Sequence, residues 1–291
     1  MEIIIGKNAG FCYGVKRAVE GAEEELLKEK QLYCLGEIVH NKDVVSALEK
    51  QGIVFIEDIN QANATTLIRA HGVTKEVYQQ AKNNNIEIKD YTCPKVLNIH
   101  NIAEEYSNKG YFIILTGSKT HPENIGTISY CGNNYYVIEN VDEINDAIEC
   151  FTKSGISKLL IISQTTFSME KFDIIIRNIK DLLSKKIVNN NIEVIIKNTI
   201  CSATKVRQLE TEELAKKVNK MIIIGGKNSS NTKKLYEIAK INCKNSYCVE
   251  NEKEINLNDF IINDKIGIMA GASTPQDSIN LVVKKLKLIK N

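Results

Sequence analysis

The sequence predicts an α/β fold of three pseudo-symmetric lobes, each built from parallel-sheet strand–helix units. Short apolar, β-rich runs alternate with stretches of helical period, which is the pattern of parallel sheets covered by helices. A run ending on cysteine also occurs three times: EIIIGKNAGFC at residues 2–12, NNNIEIKDYTC at 83–93 and NNNIEVIIKNTIC at 189–201. The loops after these cysteines recur at matching offsets, so the alternation is an internal repeat.

Each cysteine is followed by a helix signal. After Cys12, the residues Val15, Ala18, Val19, Ala22 and Leu26 keep one apolar face at helical spacing. After Cys93, Pro94 suits the first helical position, where its missing N–H costs nothing, and Val96, Ile99, Ala103 and Tyr106 continue the face. After Cys201, Ser202 or Thr204 would cap a helix carrying Val206, Leu209 and Leu214.

A strand, a polar loop and a helix come next. These are LYCLGEIVHNKDVVSAL with His40, YFIILTGSKTHPENIG with His121 and Glu123, and MIIIGGKNSSNTKKLYEIA with Ser229, Ser230 and Asn231. The offsets 40 − 12, 121 − 93 and 229 − 201 are all 28. A further strand–loop–helix closes each lobe: TLIRAHGVTKEVYQQA with His71, LLIISQTTFSMEKF with Thr165 and Thr166, and IGIMAGASTPQDSINLV with Ser273. Here 165 − 93 and 273 − 201 are both 72, while 71 − 12 is 59, so the first lobe has a shorter intervening stretch. The expected lobes are residues 1–92, 93–200 and 201–291. Functional loops of parallel sheets lie beyond the carboxyl ends of the strands, and all nine loops stand at such ends. Arranged about a pseudo-threefold axis, the lobes would aim them at one central cavity.

Composition narrows the function. With 38 basic and 36 acidic residues, the formal charge is +2, and no basic stripe marks a nucleic-acid binder. No run approaches the roughly 18 apolar residues of a membrane-spanning helix, and MEIIIGKNAG lacks the basic and apolar regions of a signal peptide. A cytoplasmic protein with neither nucleic-acid nor membrane partners is expected. In that compartment its eight cysteines are buried thiols, metal ligands or nucleophiles rather than disulfides. GGKNSS lacks the first glycine and the Lys-Ser/Thr ending of a nucleotide loop.

A single cysteine at a strand end is usually a small buried hydrophobe. Equivalent placement in three repeats favours another reading, because a threefold arrangement brings Cys12, Cys93 and Cys201 together, and three thiolates need a cation. Structural zinc sites usually take four ligands with local pairs, whereas these ligands stand 81 and 108 residues apart (93 − 12 and 201 − 93). Thiolates from separate loops suit an iron–sulfur cluster better, with one iron left open. Cys34 lies within the apolar run LYCLG, Cys131 and Cys150 lack repeat partners, and Cys243 and Cys248 form a C-x4-C pair that is a weak metal signal without further ligands; all five are expected to be structural, as is His100.

The candidate residues of the remaining loops include one obvious acid, Glu123, among neutral or switchable hydrogen-bonding groups near helix starts, where free N–H groups attract anions. NSSN and AGAST are also ordinary capping and turn sequences, and His71 could be a satisfied loop histidine. Convergence through the repeat favours a compact anion such as a diphosphate.

The segments GFCYGVKRA, IVHNKDVV, AHGV, TCPKV, THPE, SQTT, NTICSATKVRQ, KNSSNTKKL and AGASTP run in order over nearly the whole chain. They resemble those of the 4-hydroxy-3-methylbut-2-enyl diphosphate reductase family, an iron–sulfur oxidoreductase family of the non-mevalonate isoprenoid pathway. The resemblance implies three lobes around one [4Fe–4S] cluster per chain, held by Cys12, Cys93 and Cys201, with residues 1–12 packed on the third lobe. It implies that His40, His71, His121, Ser229, Ser230, Asn231 and Ser273 hold the substrate diphosphate. Glu123 would donate a proton, Thr165 would place the substrate hydroxyl and relay that proton, and Thr166 is a lesser candidate. Ferredoxin or flavodoxin would supply electrons. The rival readings are a zinc protein or a non-catalytic iron–sulfur protein that binds a phosphorylated metabolite.

Overall fold

The computed structural model describes residues 1–186 and 192–289; the asparagine turn at 189–191 lies outside them. The strands are β1 (Glu2–Ile5), β2 (Leu32–Leu35), β3 (Ile53–Ile56), β4 (Thr66–Ile68), β5 (Ile88–Asp90) and β6 (Phe112–Thr116). They continue with β7 (Tyr135–Ile138), β8 (Lys158–Ser163), β9 (Glu193–Ile196), β10 (Lys220–Ile224), β11 (Ser246–Val249) and β12 (Lys265–Ala270). The helices are α1 (Tyr13–Leu26), α2 (Lys42–Gln51), α3 (Lys75–Asn83), α4 (Pro94–Asn108) and α5 (Pro122–Ile128). After these come α6 (Ile144–Lys153), α7 (Met169–Lys186), α8 (Ser202–Ala215), α9 (Ser230–Asn242) and α10 (Gln276–Leu286).

The strands make three four-stranded sheets of one topology: β3-β2-β4-β5, β7-β6-β8-β9 and β11-β10-β12-β1. In the last sheet the fourth place is taken by β1 from the amino end, parallel to β12 with Glu2 opposite Lys265 and Ile5 opposite Ile268. The strand ahead of each cysteine (β5, β9 or β1) therefore fills the same edge position.

The chain divides into two compact units. The first comprises Met1–Lys28, Glu37–Ile53 and Ser202–Asn291 and holds the sheet ending in β1. Successive strand residues point to opposite faces, so Ile222 and Ile224 pack with Ile279, Val282 and Leu286 of α10. Met221 and Ile223 face the other way, onto Leu214 of α8 and Leu235 and Ala239 of α9.

The second unit comprises Glu29–Gly36 and Val54–Cys201. In its β7-β6-β8-β9 sheet, Ile114, Leu159 and Ile161 meet Ile148, Phe151, Phe172 and Ile175 of α6 and α7. Ile113, Leu115, Leu160 and Ile162 meet Ile99 and Ala103 of α4. Its other sheet packs Tyr33, Leu35 and Ile68 with Ala81 of α3. Each such side chain taken from water contributes about 1.5–3 kcal/mol, which explains strands that read as unbroken apolar runs.

Helix α8 departs from the expected face. Val206 and Leu209 are exposed, while Thr204, Arg207, Gln208, Thr211 and Leu214 are buried. The helix begins at Ser202 itself, so Ser202 and Thr204 are not its cap. Arg207 faces inward here because it binds loop backbone at Gly10, and Thr211 returns its hydroxyl to Arg207 O, demands that hydrophobic periodicity does not register.

Candidate active site

In the second unit, Pro122 opens α5, and His121 is its N-cap, with Nδ1 accepting the Glu123 amide at 3.2 Å. In a neutral ring that bond leaves the proton on Nε2, so the outer nitrogen is a donor. The rings of His71 and His121 meet edge to face, with centroids 5.4 Å apart. Glu123 is 2 % exposed. Thr165 donates its amide to Oε1 and its hydroxyl to Oε2, both at 2.6 Å. Burial pushes the carboxyl up to about 7, against the downward pull of the two Thr165 hydrogen bonds.

The Thr165 carbonyl in turn accepts the Cys201 amide at 3.0 Å. Cys93 is the N-cap of α4, and its amide donates to Ala70 O, next to His71, at 3.0 Å. Gln164, which the sequence analysis passed over, organises this loop. Its Nε2 donates to Thr166 Oγ1 at 2.8 Å, and its Oε1 accepts from the Ser118 amide and from Asn124 Nδ2, each at 3.1 Å. The position between a strand end and two threonines in SQTT was the available signal.

In the first unit, Cys12 is the N-cap of α1, and its amide donates to Ala272 O at 3.1 Å. All three cysteines thus follow an edge strand and hang their amides from the loop after the strand beside it, β12, β4 or β8. Ser273 Oγ donates to His40 O at 3.3 Å. A side chain at Gly226 would lie 2.5 Å from that carbonyl, so these loops touch through glycine. Ser229 caps α9, its Oγ accepting the Thr232 amide at 3.3 Å, so the capping reading of NSSN holds for this residue. Asn231, in the first turn, is 3 % exposed, and neither amide atom has a hydrogen-bond partner among the described residues. Leaving such atoms unmet costs about 1–3 kcal/mol.

Three glycines missing from the sequence analysis complete the repeat. Gly36, Gly117 and Gly225 each stand 24 residues after their cysteine (36 − 12, 117 − 93, 225 − 201). Their φ angles are 69°, 154° and 152°, and their amides bond the last residue of the neighbouring strand: Ile56, Ile138 and Val249, at 2.7–2.9 Å. Each turns the chain out of a central strand into the following loop.

The other cysteines differ. Burial pushes the Cys34 and Cys131 thiols up to about 12, which keeps them protonated and poor ligands. Cys243 is buried, Cys248 half-buried and Cys150 exposed. His100 is buried, stacks on Tyr130 with centroids 4.5 Å apart and has a ring pKa lowered to about 4 by burial, opposed by Asp90. Among the described residues no helix is long and apolar enough to cross a membrane.

The sequence profile of the LytB protein family matches residues 3–287. A 4-hydroxy-3-methylbut-2-enyl diphosphate reductase from Caldanaerobacter subterraneus subsp. tengcongensis is 42 % identical over 296 residues, covering 100 % of this chain and 98 % of that protein. One from Clostridioides difficile is 38 % identical over 290 residues, covering 99 % of each. A solved (E)-4-hydroxy-3-methyl-but-2-enyl diphosphate reductase, described as the terminal enzyme of the non-mevalonate pathway, is 36 % identical with a TM-score of 0.70, over 99 % of this chain and 100 % of that one. The Plasmodium falciparum E-1-hydroxy-2-methyl-but-2-enyl-4-diphosphate reductase superposes with a TM-score of 0.87 at 30 % identity, over 100 % of this chain and 88 % of that one.

Proposed function

This chain belongs to the LytB protein family, and from that premise we propose that it is a 4-hydroxy-3-methylbut-2-enyl diphosphate reductase. It removes the hydroxyl group of (E)-4-hydroxy-3-methylbut-2-enyl diphosphate, the last step of the non-mevalonate route to isoprenoids. Two electrons and two protons enter; water and either isopentenyl or dimethylallyl diphosphate leave.

The observation that carries the mechanism is the Glu123–Thr165 pair. Removing hydroxide from an allylic carbon needs a proton at the departing oxygen. A carboxyl held near 7 by burial is protonated in a large fraction of molecules at neutral pH, which an exposed glutamate is not. Thr165 fixes both carboxyl oxygens, so the acid has one orientation. The Thr165 hydroxyl then places the substrate hydroxyl and passes the proton on.

Cys12, Cys93 and Cys201 would hold one [4Fe–4S] cluster, leaving one iron without a protein ligand. The donor set fits: three half-buried thiols outside any disulfide, each at an edge-strand end with its amide anchored. When bound, the cluster supplies single electrons and a Lewis-acid iron for the substrate oxygen. A zinc site would want a fourth ligand, and acid-labile sulfide distinguishes the two. Ferredoxin or flavodoxin in the cytoplasm would be the electron donor.

His40, His71, His121, Ser229, Ser230, Asn231 and Ser273 would hold the diphosphate, with Thr166 a lesser contact. The His121 Nε2 donor, the paired His71 ring and the unmet Asn231 amide suit an anion rich in acceptor oxygens. The lobes would divide at 92/93 and 200/201, each supplying one cysteine. Anaerobically reconstituted protein with a chemical reductant should convert the hydroxylated diphosphate to both isoprenoid diphosphates. Protein with full iron and sulfide content but no turnover would overturn the assignment.

A further inference from the structure

The segment Gly6–Cys12 joins β1 to α1, and its backbone is held from several sides. Gly6 donates to Ile268 O at 2.8 Å, Ala9 to Gly6 O at 3.1 Å and Cys12 to Ala272 O at 3.1 Å. The amides between them are met by one side chain on α8. Lys7 N–H reaches Glu210 Oε1 at 2.5 Å, and Asn8 N–H reaches Oε2 at 3.0 Å. The Asn8 side chain adds a third bond to Oε2 at 2.9 Å. One helical turn earlier, Arg207 donates through Nη2 to Gly10 O at 2.8 Å, where the chain turns with a φ of 102°.

Arg207 is only 4 % exposed. Packing alone does not explain it, because burying a guanidinium is costly and an apolar residue of similar size fills space better. What Arg207 and Glu210 share is one face of α8 and one loop. Gly6 leaves no room for a looser arrangement: a side chain there would strike Met269 Sδ and lie 3.3 Å from the Glu210 carboxyl carbon.

We propose that Arg207 and Glu210 are positioning residues that clamp the Gly6–Cys12 loop and so preset the Cys12 thiol for metal ligation. This rests on the reading of Cys12 and Cys201 as cluster ligands. Helix α8 starts one residue after Cys201, so the element leaving one ligand in the chain grips the loop carrying another. Releasing the clamp frees Cys12 selectively, and the cluster is then lost from that ligand first.

The test uses the full chain after cluster removal, with mass-resolved alkylation of each cysteine and hydrogen exchange of the 6–12 segment. Glu210→Ala removes three hydrogen bonds and should speed exchange at Lys7 and Asn8 about tenfold or more. Cys12 alkylation should rise several-fold while Cys93 and Cys201 stay within about twofold of wild type. Arg207→Met should act on the same thiol, and Arg207→Lys, which keeps one donor, should restore part of the protection. In reconstituted protein both loosened variants should lose iron to a chelator faster. An equal rise at all three thiols, or no rise at Cys12, overturns the proposal. If Arg207→Met fails to fold, Glu210→Ala carries the test, Glu210 being only half-buried. A Cys12-selective response in a protein that never assembles iron and sulfide would uphold the clamp and defeat the cluster reading.

Discussion

Thr165 gives both of its donors to Glu123, its amide and hydroxyl meeting the two carboxylate oxygens at 2.6 Å, while its carbonyl takes the Cys201 amide at 3.0 Å. One residue thus couples the buried acid Glu123 to a proposed cluster ligand. The two bonds fix the acid's aim, while burial raises its pKa.

Turnover should therefore follow the protonated form of Glu123 and fall as pH rises through about 7. Glu123→Gln should lower kcat by about 10²-fold or more while iron content stays unchanged. The folded pKa lies above the ordinary 4.5, so the stability tied to this group is whole below pH 4.5 and lost as pH rises through 7. The loss is on the order of 3 kcal/mol. Urea denaturation at pH 5 and pH 8 should show that loss in the wild type and not in Glu123→Gln.

The proposed diphosphate contact of Asn231 would set stability against function. Its buried amide has no partner among the described residues, so Asn231→Leu, nearly the same shape, should leave the ligand-free protein as stable or up to about 2 kcal/mol more so. KM for the diphosphate should rise roughly tenfold or more. Denaturation and steady-state kinetics on one preparation check both; a destabilised variant with normal KM would contradict the role.

The glycine at offset 24 is testable within the same chain. A Cβ on Gly117 would strike Asn124 Nδ2 and lie 2.7 Å from Gln164 Cβ, on side chains that bond each other and, through Gln164, Thr166. Gly117→Ala should cost at least ~2 kcal/mol and reduce kcat. Gly110→Ala also has positive φ but no atom within 4 Å, and should cost only about 1 kcal/mol with kcat intact.

His100 titrates in the opposite sense. Its folded value of about 4 lies below the ordinary 6.5, so the unfolded chain takes up the proton first. Stability is whole above pH 6.5 and falls on acidification towards pH 4, by on the order of 3 kcal/mol. His100→Phe keeps a ring against Tyr130 and should remove that acid loss, read from melting temperature between pH 7 and pH 4.5.

Much of this was legible in the sequence for a physical reason. Strands buried on both faces must be apolar throughout, so runs such as FIILT and KLLIIS declare themselves between turn residues. The loops of His40, His121 and Ser229 repeat at one offset from their cysteines, and those of Thr165 and Ser273 at another that the His71 loop shortens, because three copies of one topology place them at equivalent strand ends. Features resting on polar burial stayed hidden. Arg207 and Gln208 face inward on α8 while Val206 and Leu209 face out, which inverts the apolar-face rule. Gln164 looks like any loop glutamine until its three partners are seen. The three glycines were countable, but their purpose is a backbone angle.

The central claim is that Cys12, Cys93 and Cys201 hold a [4Fe–4S] cluster whose fourth iron meets the substrate. The most direct measurement is Mössbauer spectroscopy of iron-57 protein reconstituted without oxygen, recorded with and without the hydroxylated diphosphate. The account predicts one iron site distinct from the other three, with parameters that change when substrate is added. Four equivalent irons indifferent to substrate, or a protein that holds only zinc, would contradict it.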